Sequence, residues 1–339
     1  MGDGRISVLG DPATAGFCAG LWAVAGHHVS WHAPAPLRHQ FLHHGLELID
    51  ANGLDARVGP DVLCCPAEPT TLGQADMVIL CDCPPADCPD MAALLSRHCR
   101  PQVPVLSLRS RPCVDDPLAG GLGGWSLRPG LIPWEVHADA GYVRADRALR
   151  FRRHGSGPVV VAAGGHSALS QGLDVPCLEV TEQADVSGRI WGRILTDLAQ
   201  LPPPETSPAP TGGQRDPQWR GLVADQLQEA LMVLHQAGIR PVPPSGLPLW
   251  MRLRILRMRF VPDDLVWRLG VWTDRTAGPA IAQTAMASGW DELLRPLLDL
   301  GRRLGVSMPI HKAMAAQAAS LPAVQLEGDN PAALPGDRP

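Results

Sequence analysis

The sequence contains a single lysine, Lys312, so 28 of its 29 basic residues are arginines. Any mechanism that needs a lysine elsewhere in the chain is therefore excluded. A basic surplus is also missing: 34 acidic residues bring the formal net charge to -5, which leaves nothing to neutralise a nucleic-acid backbone. No run of 18 apolar residues occurs, and the N-terminus has no signal-peptide pattern. We therefore expect a cytoplasmic protein with neither a nucleic-acid nor a membrane partner.

Disulfide bonds are not expected either. The nine cysteines are an odd number in a chain without an export signal, which predicts reduced thiols. With 339 residues, of which 45% are hydrophobic, the chain is too apolar to be disordered and long enough for two globular domains.

Strand and helix signals alternate through the first hundred residues. Short apolar runs predict strands at 5–10, 28–32, 75–81 and 103–108. Apolar residues at helical spacing predict helices between them at 13–25, 36–44 and 87–100. This alternation is typical of a parallel sheet that is covered by helices on both faces.

The pattern changes twice further along the chain. Between Gly121 and Ala163, turns separate short candidate strands at 136–143, 148–152 and 158–162, which predict an antiparallel extension of the sheet. Beyond Asp185 the pattern is helical, with candidate helices at 186–201, 219–237, 249–260, 263–272, 280–300 and 307–319.

We therefore predict an α/β fold with an N-terminal Rossmann-like doubly wound sheet and an antiparallel extension, followed by an all-helical C-terminal domain. The predicted boundaries are 1–180 for the Rossmann-like domain, 181–320 for the helical domain and 321–339 for a tail.

The turn after the first strand matches part of the dinucleotide fingerprint G-x-G-x-x-G/A. The residues in order are Gly10, Asp11, Pro12, Ala13, Thr14, Ala15 and Gly16. The first glycine and the permitted alanine are present, but proline stands at the second glycine position and removes an N–H donor. An aspartate also adds negative charge beside the expected pyrophosphate. Both changes predict weakened or altered cofactor binding, and a doubly wound domain without nucleotide binding is the alternative.

The end of the second strand lacks the acidic residue that would bind the ribose 2'-hydroxyl of NAD. No Asp or Glu occurs between Asp11 and Glu47, so NAD is disfavoured. Arg38 follows a few residues later and can bind the 2'-phosphate of NADP, although it can equally be a solvated helix residue.

The sequence resembles the ketopantoate reductase (2-dehydropantoate 2-reductase) family over most of its length. Seven stretches carry the resemblance, in order: 5–16, 25–29, 44–46, 76–80, 151–158, 190–195 and 304–309. The resemblance implies an N-terminal Rossmann domain and a C-terminal helical domain, with NADPH and a 2-oxo acid meeting between them. The implied reaction transfers hydride to a ketone and needs a cation or acid beside the carbonyl oxygen.

Several residues of the family pattern are replaced. The lysine after the 75–81 strand becomes Cys83, which follows Cys81, and the asparagine after the 103–108 strand falls near Ser110. The lysine after the family's tryptophan becomes Arg193, and the asparagine one turn later becomes Asp197.

The family's glutamate and its second-strand arginine are replaced as well. The glutamate falls on Gly289, next to Ser288, with Asp291 or Glu292 as possible substitutes. The arginine expected at the end of the second strand falls on Pro34.

Arg193 can still bind a carboxylate, but its guanidinium is a poor proton donor. We therefore predict a ketopantoate-reductase-like protein whose activity is altered or lost. If the protein is an enzyme, it is an NADP-dependent reductase of a 2-oxo acid or related carbonyl. In that enzyme, Arg193 would bind the substrate anion, and four further residues would surround it: Ser110, Asp197, Ser288 and Asp291. The alternative is a catalytically degenerate protein that binds a small molecule or a partner.

Two further patterns leave alternatives open. Cys81 ends the 75–81 strand, and Cys83 and Cys88 follow it at the carboxyl edge of the sheet, so Cys81 and Cys83 are candidate cofactor-binding residues. Thiol or soft-metal chemistry at the three cysteines competes with incidental burial. No metal site is predicted, because the C-x-C-x4-C spacing matches none of the common metal patterns. The arginine-rich stretch 250–260 does not form a one-sided amphipathic face. Its arginine stems can cover an apolar surface or form a subunit contact, which would make a homodimer through the helical domain.

Overall fold

The strands at the centre of the fold are apolar runs that are buried on both faces. In the computed structural model, which describes residues 4–110, 118–139, 147–164, 172–200, 217–243, 247–257 and 290–319, all five residues of Met77–Cys81 and all five of Val105–Arg109 are buried. A strand that is buried on both faces requires layers on both sides, as in doubly wound folds.

Eleven strands are described. They are β1 Arg5–Gly10, β2 His28–Trp31, β3 Leu46–Asp50, β4 Asp55–Val58, β5 Met77–Cys81, β6 Val105–Arg109, β7 Leu127–Leu131, β8 Glu135–Ala138, β9 Leu149–His154, β10 Val159–Ala162 and β11 Val180–Gln183. The described helices are α1 Pro12–Val24, α2 Ala35–His44, α3 Cys88–His98, α4 Leu118–Gly121, α5 Val186–Gln200, α6 Pro217–Gln236, α7 Leu249–Arg257, α8 Trp290–Leu304 and α9 Pro309–Ala319, with a 3₁₀ helix at Pro69–Gln74.

Seven strands form the main sheet in the order β11-β10-β7-β6-β5-β1-β2. Neighbouring strands are parallel except for β7 and β10, which are antiparallel. The predicted Rossmann-like sheet is therefore confirmed, and the antiparallel extension is confirmed at β10.

Four strands form a second sheet in the order β4-β3-β9-β8. The predicted strands at 136–143 and 148–152 correspond to β8 and β9. They belong to this second sheet and do not extend the main sheet, so that part of the prediction is wrong. β3, which pairs with β4 and β9, was not predicted, because Leu46–Asp50 pairs with Leu149–Arg153, which lies far along the chain. A buried ion pair between Asp50 and Arg153 joins β3 to β9, and the Arg153 guanidinium lies 5.5 Å from the ring centroids of Phe17 and Trp134.

The chain packs as two compact units. One contains the described residues up to Ile194 together with Ile239–Leu249. The other contains the described residues of Leu195–Gly238 and the described residues from Trp250 onward, and it is helical. The domain boundaries at 180 and 320 stay predictions. The predicted helix at 263–272 and the tail at 321–339 lie outside the described residues.

In the helical unit, α6 packs against α8 and α9. Glu229 on α6 accepts hydrogen bonds from the backbone N–H groups of Ile310 and His311 at the start of α9. No helix within the described ranges is long and apolar enough to cross a membrane.

Candidate functional site

The strand order places the ends of β1 and β5 side by side at the carboxyl edge of the main sheet. β1 lies between β5 and β2, and Gly10 pairs with Cys81 at the last position of the register. In open α/β sheets, ligands bind at the edge where neighbouring strands lead to helices on opposite sides. The residues that follow β1 and β5 are therefore the first candidates for a site.

Gly10 is required by the close approach of these two strands. Its φ is +113°, and a Cβ atom built there would lie 1.9 Å from the carbonyl oxygen of Cys81. The next residue, Asp11, donates its backbone N–H to the same carbonyl at 2.7 Å. The first glycine of the fingerprint thus has a structural role in joining β1 to β5.

Asp11 and Pro12 form the start of α1. The Asp11 carboxylate accepts hydrogen bonds from the backbone N–H and the hydroxyl of Thr14, both at 2.9 Å. Aspartate is a favoured N-cap, and proline is favoured at the first helical position because its missing N–H would have no helical partner. The proline at the second glycine position is therefore explained by local helix chemistry.

The remaining fingerprint residues differ in their surroundings. Ala13 is half-buried, whereas Thr14 and Ala15 are buried. Gly16 supplies the close packing, because a Cβ there would lie 2.5 Å from the Phe151 ring and 2.9 Å from the Trp31 ring.

Asp82 is a site residue that the sequence prediction missed. It follows β5 with a φ of +46°, and its carboxyl group accepts a hydrogen bond from the backbone N–H of Ser110. Its Oδ2 atom also lies 3.1 Å from the hydroxyl oxygen of Thr14, whose single proton is shared between Asp82 and Asp11. Burial raises the pKa of the Asp82 carboxyl, the hydrogen bonds from Ser110 oppose that shift, and the nearby Asp11 adds to it. The signal was present in the sequence, since an acidic residue directly follows the strand beside β1.

The carboxylates of Asp11 and Asp82 therefore meet at Thr14, at the N-terminus of α1. This is the place where a dinucleotide pyrophosphate would lie in a Rossmann domain, held by open N–H groups and the positive end of the helix dipole. Here Pro12 has no N–H, and the N–H of Thr14 is bonded to Asp11. The residues at this edge do not fit a pyrophosphate bound in that way.

The end of β2 is where the adenosine ribose would lie, and a histidine occupies it. Burial lowers the pKa of His32 to about 4, so the imidazole is neutral at physiological pH. Its Nε2 atom is buried and has no hydrogen-bond partner among the described residues. Arg38 lies half-buried on α2, close enough to influence the pKa of Cys65. Its role in binding a 2'-phosphate stays a prediction.

The predicted catalytic residues are only partly brought together. Ser110 is buried and joins the Asp82 cluster. Arg193 is buried on α5 and donates a hydrogen bond to the carbonyl of Pro133 at 2.8 Å, and Asp197 lies half-buried one turn later on the same helix. Asp291 lies in the first turn of α8, and Ser288 is outside the described residues. The catalytic roles of these residues stay predictions.

The two cysteines predicted for the cofactor site face different surroundings. Cys81 is buried against Cys18 of α1, and their hydrogen bond, together with burial, holds the pKa of Cys81 well above its usual range. Cys83 is buried beside Cys88, with their sulfur atoms 3.7 Å apart. No group of three or more metal-binding side chains occurs within the described part of the chain.

A cavity of about 390 Å³ lies beside β6 and β7, within the same unit. Ser107 and Arg109 of β6 line it together with Trp125 and with Trp191 and Ser187 of α5. Its lining thus combines two tryptophans with a buried arginine and two serines.

The sequence matches no protein-family model and no curated protein, whereas many solved structures share the fold. A ketopantoate reductase of the PanE/ApbA family from Ralstonia eutropha JMP134 aligns with a TM-score of 0.68 at 19% identity, covering 93% of this chain and 97% of that protein. The 2-dehydropantoate 2-reductase from Methylococcus capsulatus aligns with a TM-score of 0.66 at 16% identity, covering 92% and 94%. A D-mandelate dehydrogenase in complex with NADH and anilino(oxo)acetate gives 0.63 at 14% identity, covering 93% and 97%. The chain therefore has the fold of the ketopantoate reductases.

Proposed function

We propose that this protein is a ketopantoate-reductase-like protein that has lost reductase activity of the family type and instead binds a small molecule. The observation that carries the proposal is the pair of carboxylates, Asp11 and Asp82, that meet at Thr14 at the start of α1. Bringing a pyrophosphate to this position would place its negative charges against two carboxylates, at a helix start that Asp11 already caps.

The replacement of both lysines of the family pattern supports the loss of hydride-transfer chemistry. The only lysine of the sequence is Lys312, and the two lysine positions of the resembled family fall on Cys83 and Arg193. An arginine can hold a substrate carboxylate, but it does not release a proton to an alkoxide near neutral pH.

The cavity lined by Arg109 is our proposed place for the ligand. Its indole rings and leucines offer an apolar wall, and Arg109 with Ser107 offers polar contacts at one side. Such a combination suits a small anionic molecule with an apolar body. Association of two copies through the helical domain stays a prediction.

A second candidate function is NADP-dependent reduction of a 2-oxo acid or related carbonyl. The fold likeness over more than nine-tenths of the chain favours it, since the neighbours with this fold carry the names of reductases and dehydrogenases. In this case Arg193 would bind the substrate anion, Arg38 would bind the 2'-phosphate of NADPH, and Ser110 and Asp197 would surround the substrate.

Titration with NADPH and NADH distinguishes the two functions. We expect no saturable quenching of tryptophan fluorescence up to about 1 mM of either nucleotide, because the carboxylates oppose the pyrophosphate. Saturation at micromolar concentrations, together with oxidation of NADPH by a 2-oxo acid, would overturn the first proposal and support the second. The Asp82→Asn variant removes one of the two charges while an amide oxygen still faces Ser110, and it serves as the matched comparison.

A further inference from the structure

Two buried thiols lie together at the carboxyl edge of the main sheet, outside the Asp11 and Asp82 cluster. The Sγ atoms of Cys83 and Cys88 are 3.7 Å apart, and the Cys88 thiol also lies 3.3 Å from the carbonyl oxygen of Pro84. A disulfide bond has a sulfur separation of about 2.05 Å, so joining the two requires only a small approach. The segment between them, residues 84–87, is exposed and can adjust.

A positive charge lies beside this pair and acts on both sulfur atoms, with Cys88 in direct contact. The guanidinium of Arg109 lies 3.6 Å from the Cys88 Sγ atom and donates a 2.7 Å hydrogen bond to the carbonyl of Cys83. Cys88 is also the first residue of α3, at the positive end of its dipole. Cationic surroundings favour a nucleophilic sulfur, so Cys88 is the thiol that reacts first.

Cys83 is the less reactive thiol of the pair. Burial raises its pKa to about 12, and the neighbouring Cys88 adds to the shift. It therefore remains a protonated thiol near neutral pH, which is a weak nucleophile, and its part in the second step rests on the 3.7 Å separation of the two sulfur atoms.

We propose that Cys83 and Cys88 form a reversible dithiol–disulfide couple that is oxidised by a peroxide. The Cys88 sulfur attacks a peroxide oxygen, an S–O bond forms, the O–O bond breaks and one water leaves. The Cys83 sulfur then attacks the resulting sulfenic acid, an S–S bond forms, the S–O bond breaks and a second water leaves. In total, the two thiols lose two electrons and two protons, and hydrogen peroxide is reduced to two molecules of water. Brief opening of the exposed segment 84–87 admits the oxidant.

A second pair of buried thiols in the same sheet provides an internal control. Cys18 and Cys81 are also hydrogen-bonded to each other, but Asp82 and Asp11 lie near Cys81 and raise its pKa further. Both residues of this pair are fully buried in the core, Cys18 on α1 and Cys81 at the end of β5. The couple that we propose depends on the cation and on the exposed segment, so Cys18 and Cys81 are expected to stay reduced.

The test is peptide mapping of the full-length protein after treatment with hydrogen peroxide, denaturation and alkylation. We expect Cys83 and Cys88 to lose alkylation together and to regain it after dithiothreitol, while Cys18 and Cys81 stay alkylated. In the Cys88→Ser variant, Cys83 should remain alkylated. The Cys18→Ser variant should form the Cys83–Cys88 disulfide as the wild type does.

Three outcomes would overturn the proposal. In the first, Cys83 and Cys88 stay alkylated under conditions that oxidise the exposed Cys64. In the second, dithiothreitol does not reverse the loss of alkylation, which would indicate irreversible oxidation of single cysteines. In the third, the Cys18–Cys81 pair is oxidised as fast as the Cys83–Cys88 pair, which would show that the distance between two sulfur atoms alone determines their oxidation. Because the mapping is carried out on the wild type, folding defects of a variant do not affect these outcomes.

Discussion

Two helices of this protein begin in the same way and are capped by different means. α1 starts at Pro12 and α9 starts at Pro309, so each has proline at its first position. α1 is capped by the adjacent Asp11, whose carboxylate binds Thr14 three residues later. α9 follows the buried Met308, which offers no capping oxygen, and Glu229 on α6 supplies the carboxylate from 82 positions before His311.

The difference lies in what else each carboxylate meets. Glu229 is buried and also bonds the Nδ1 atom of His311 at 2.6 Å, so its negative charge is matched by donors alone. Asp11 shares Thr14 with a second carboxylate, that of Asp82. A carboxylate at a helix start is thus part of the core in one region, whereas in the other it lies half-buried at the carboxyl edge of the main sheet.

The largest loss of stability is expected from removing the Glu229 carboxylate, which caps α9 from a distant part of the chain. Glu229→Ala would leave two backbone N–H groups and the His311 ring without their buried acceptor, and we expect it to destabilise the protein by about 3–5 kcal/mol. Urea unfolding measures the change. Asp225→Ala, one helical turn earlier on the exposed side of α6, should cost about 0–1 kcal/mol. Equal effects of the two variants would contradict the core role of Glu229.

The next largest loss of stability is expected at Gly10, in the turn that places Asp11. Gly10→Ala would bring a Cβ atom against the Cys81 carbonyl and force alanine into a positive φ, and we expect a loss of about 3 kcal/mol. Gly26→Ala is the control, because its φ is +92° but a Cβ there meets nothing within 4 Å. The control should cost about 1 kcal/mol from backbone strain alone. Similar unfolding midpoints for the two variants would show that the β1–β5 approach is not tight.

A smaller loss of stability is expected from removing the Asp11 side chain, which caps α1. Asp11→Ala should cost about 1 kcal/mol, the usual value for an N-cap, because water can reach the half-exposed helix start. Asp11→Ser should restore most of the loss, since a serine hydroxyl can accept the Thr14 N–H. If Asp11→Ala is as harmful as Glu229→Ala, the distinction between the two helix starts fails.

The smallest effect is a change in pH dependence at Asp82. Because the folded protein raises the pKa of this carboxyl, the folded state binds the proton more tightly than the unfolded chain does. Its contribution to stability is therefore present at low pH and decreases as the pH rises through the folded pKa. The Asp82→Asn variant should lack this decrease, so its stability relative to wild type should rise with pH. Urea unfolding at a series of pH values measures it, and a constant difference between the two proteins would refute the raised pKa.

The sequence was sufficient to predict the elements that consist of local patterns. Continuous apolar runs identified β5 and β6, and helical spacing identified α5 and α6, whose ends lie within two residues of the predicted ones. The second sheet was not predicted, because β3 and β9, which join its two antiparallel strand pairs, bring Leu46 beside the distant Leu149.

The candidate site was predicted only in part, for the same reason. Asp11, Pro12 and Thr14 were identified from a glycine motif, but Asp82 depends on the pairing of Gly10 with Cys81, 71 positions apart in the chain. The capping role of Asp11 has a local signal in the sequence, since an aspartate followed by proline is a typical helix start.

We infer that Asp11 and Asp82 oppose a pyrophosphate at the N-terminus of α1. The most direct test of this inference is a crystal structure of the protein grown with NADPH at about 1 mM, far above a micromolar dissociation constant. We predict that the Asp11 carboxylate still bonds the N–H of Thr14 and that no pyrophosphate density lies at the N-terminus of α1. Pyrophosphate oxygens within hydrogen-bonding distance of Ala13 or Thr14, with the Asp11 carboxylate turned away, would contradict it.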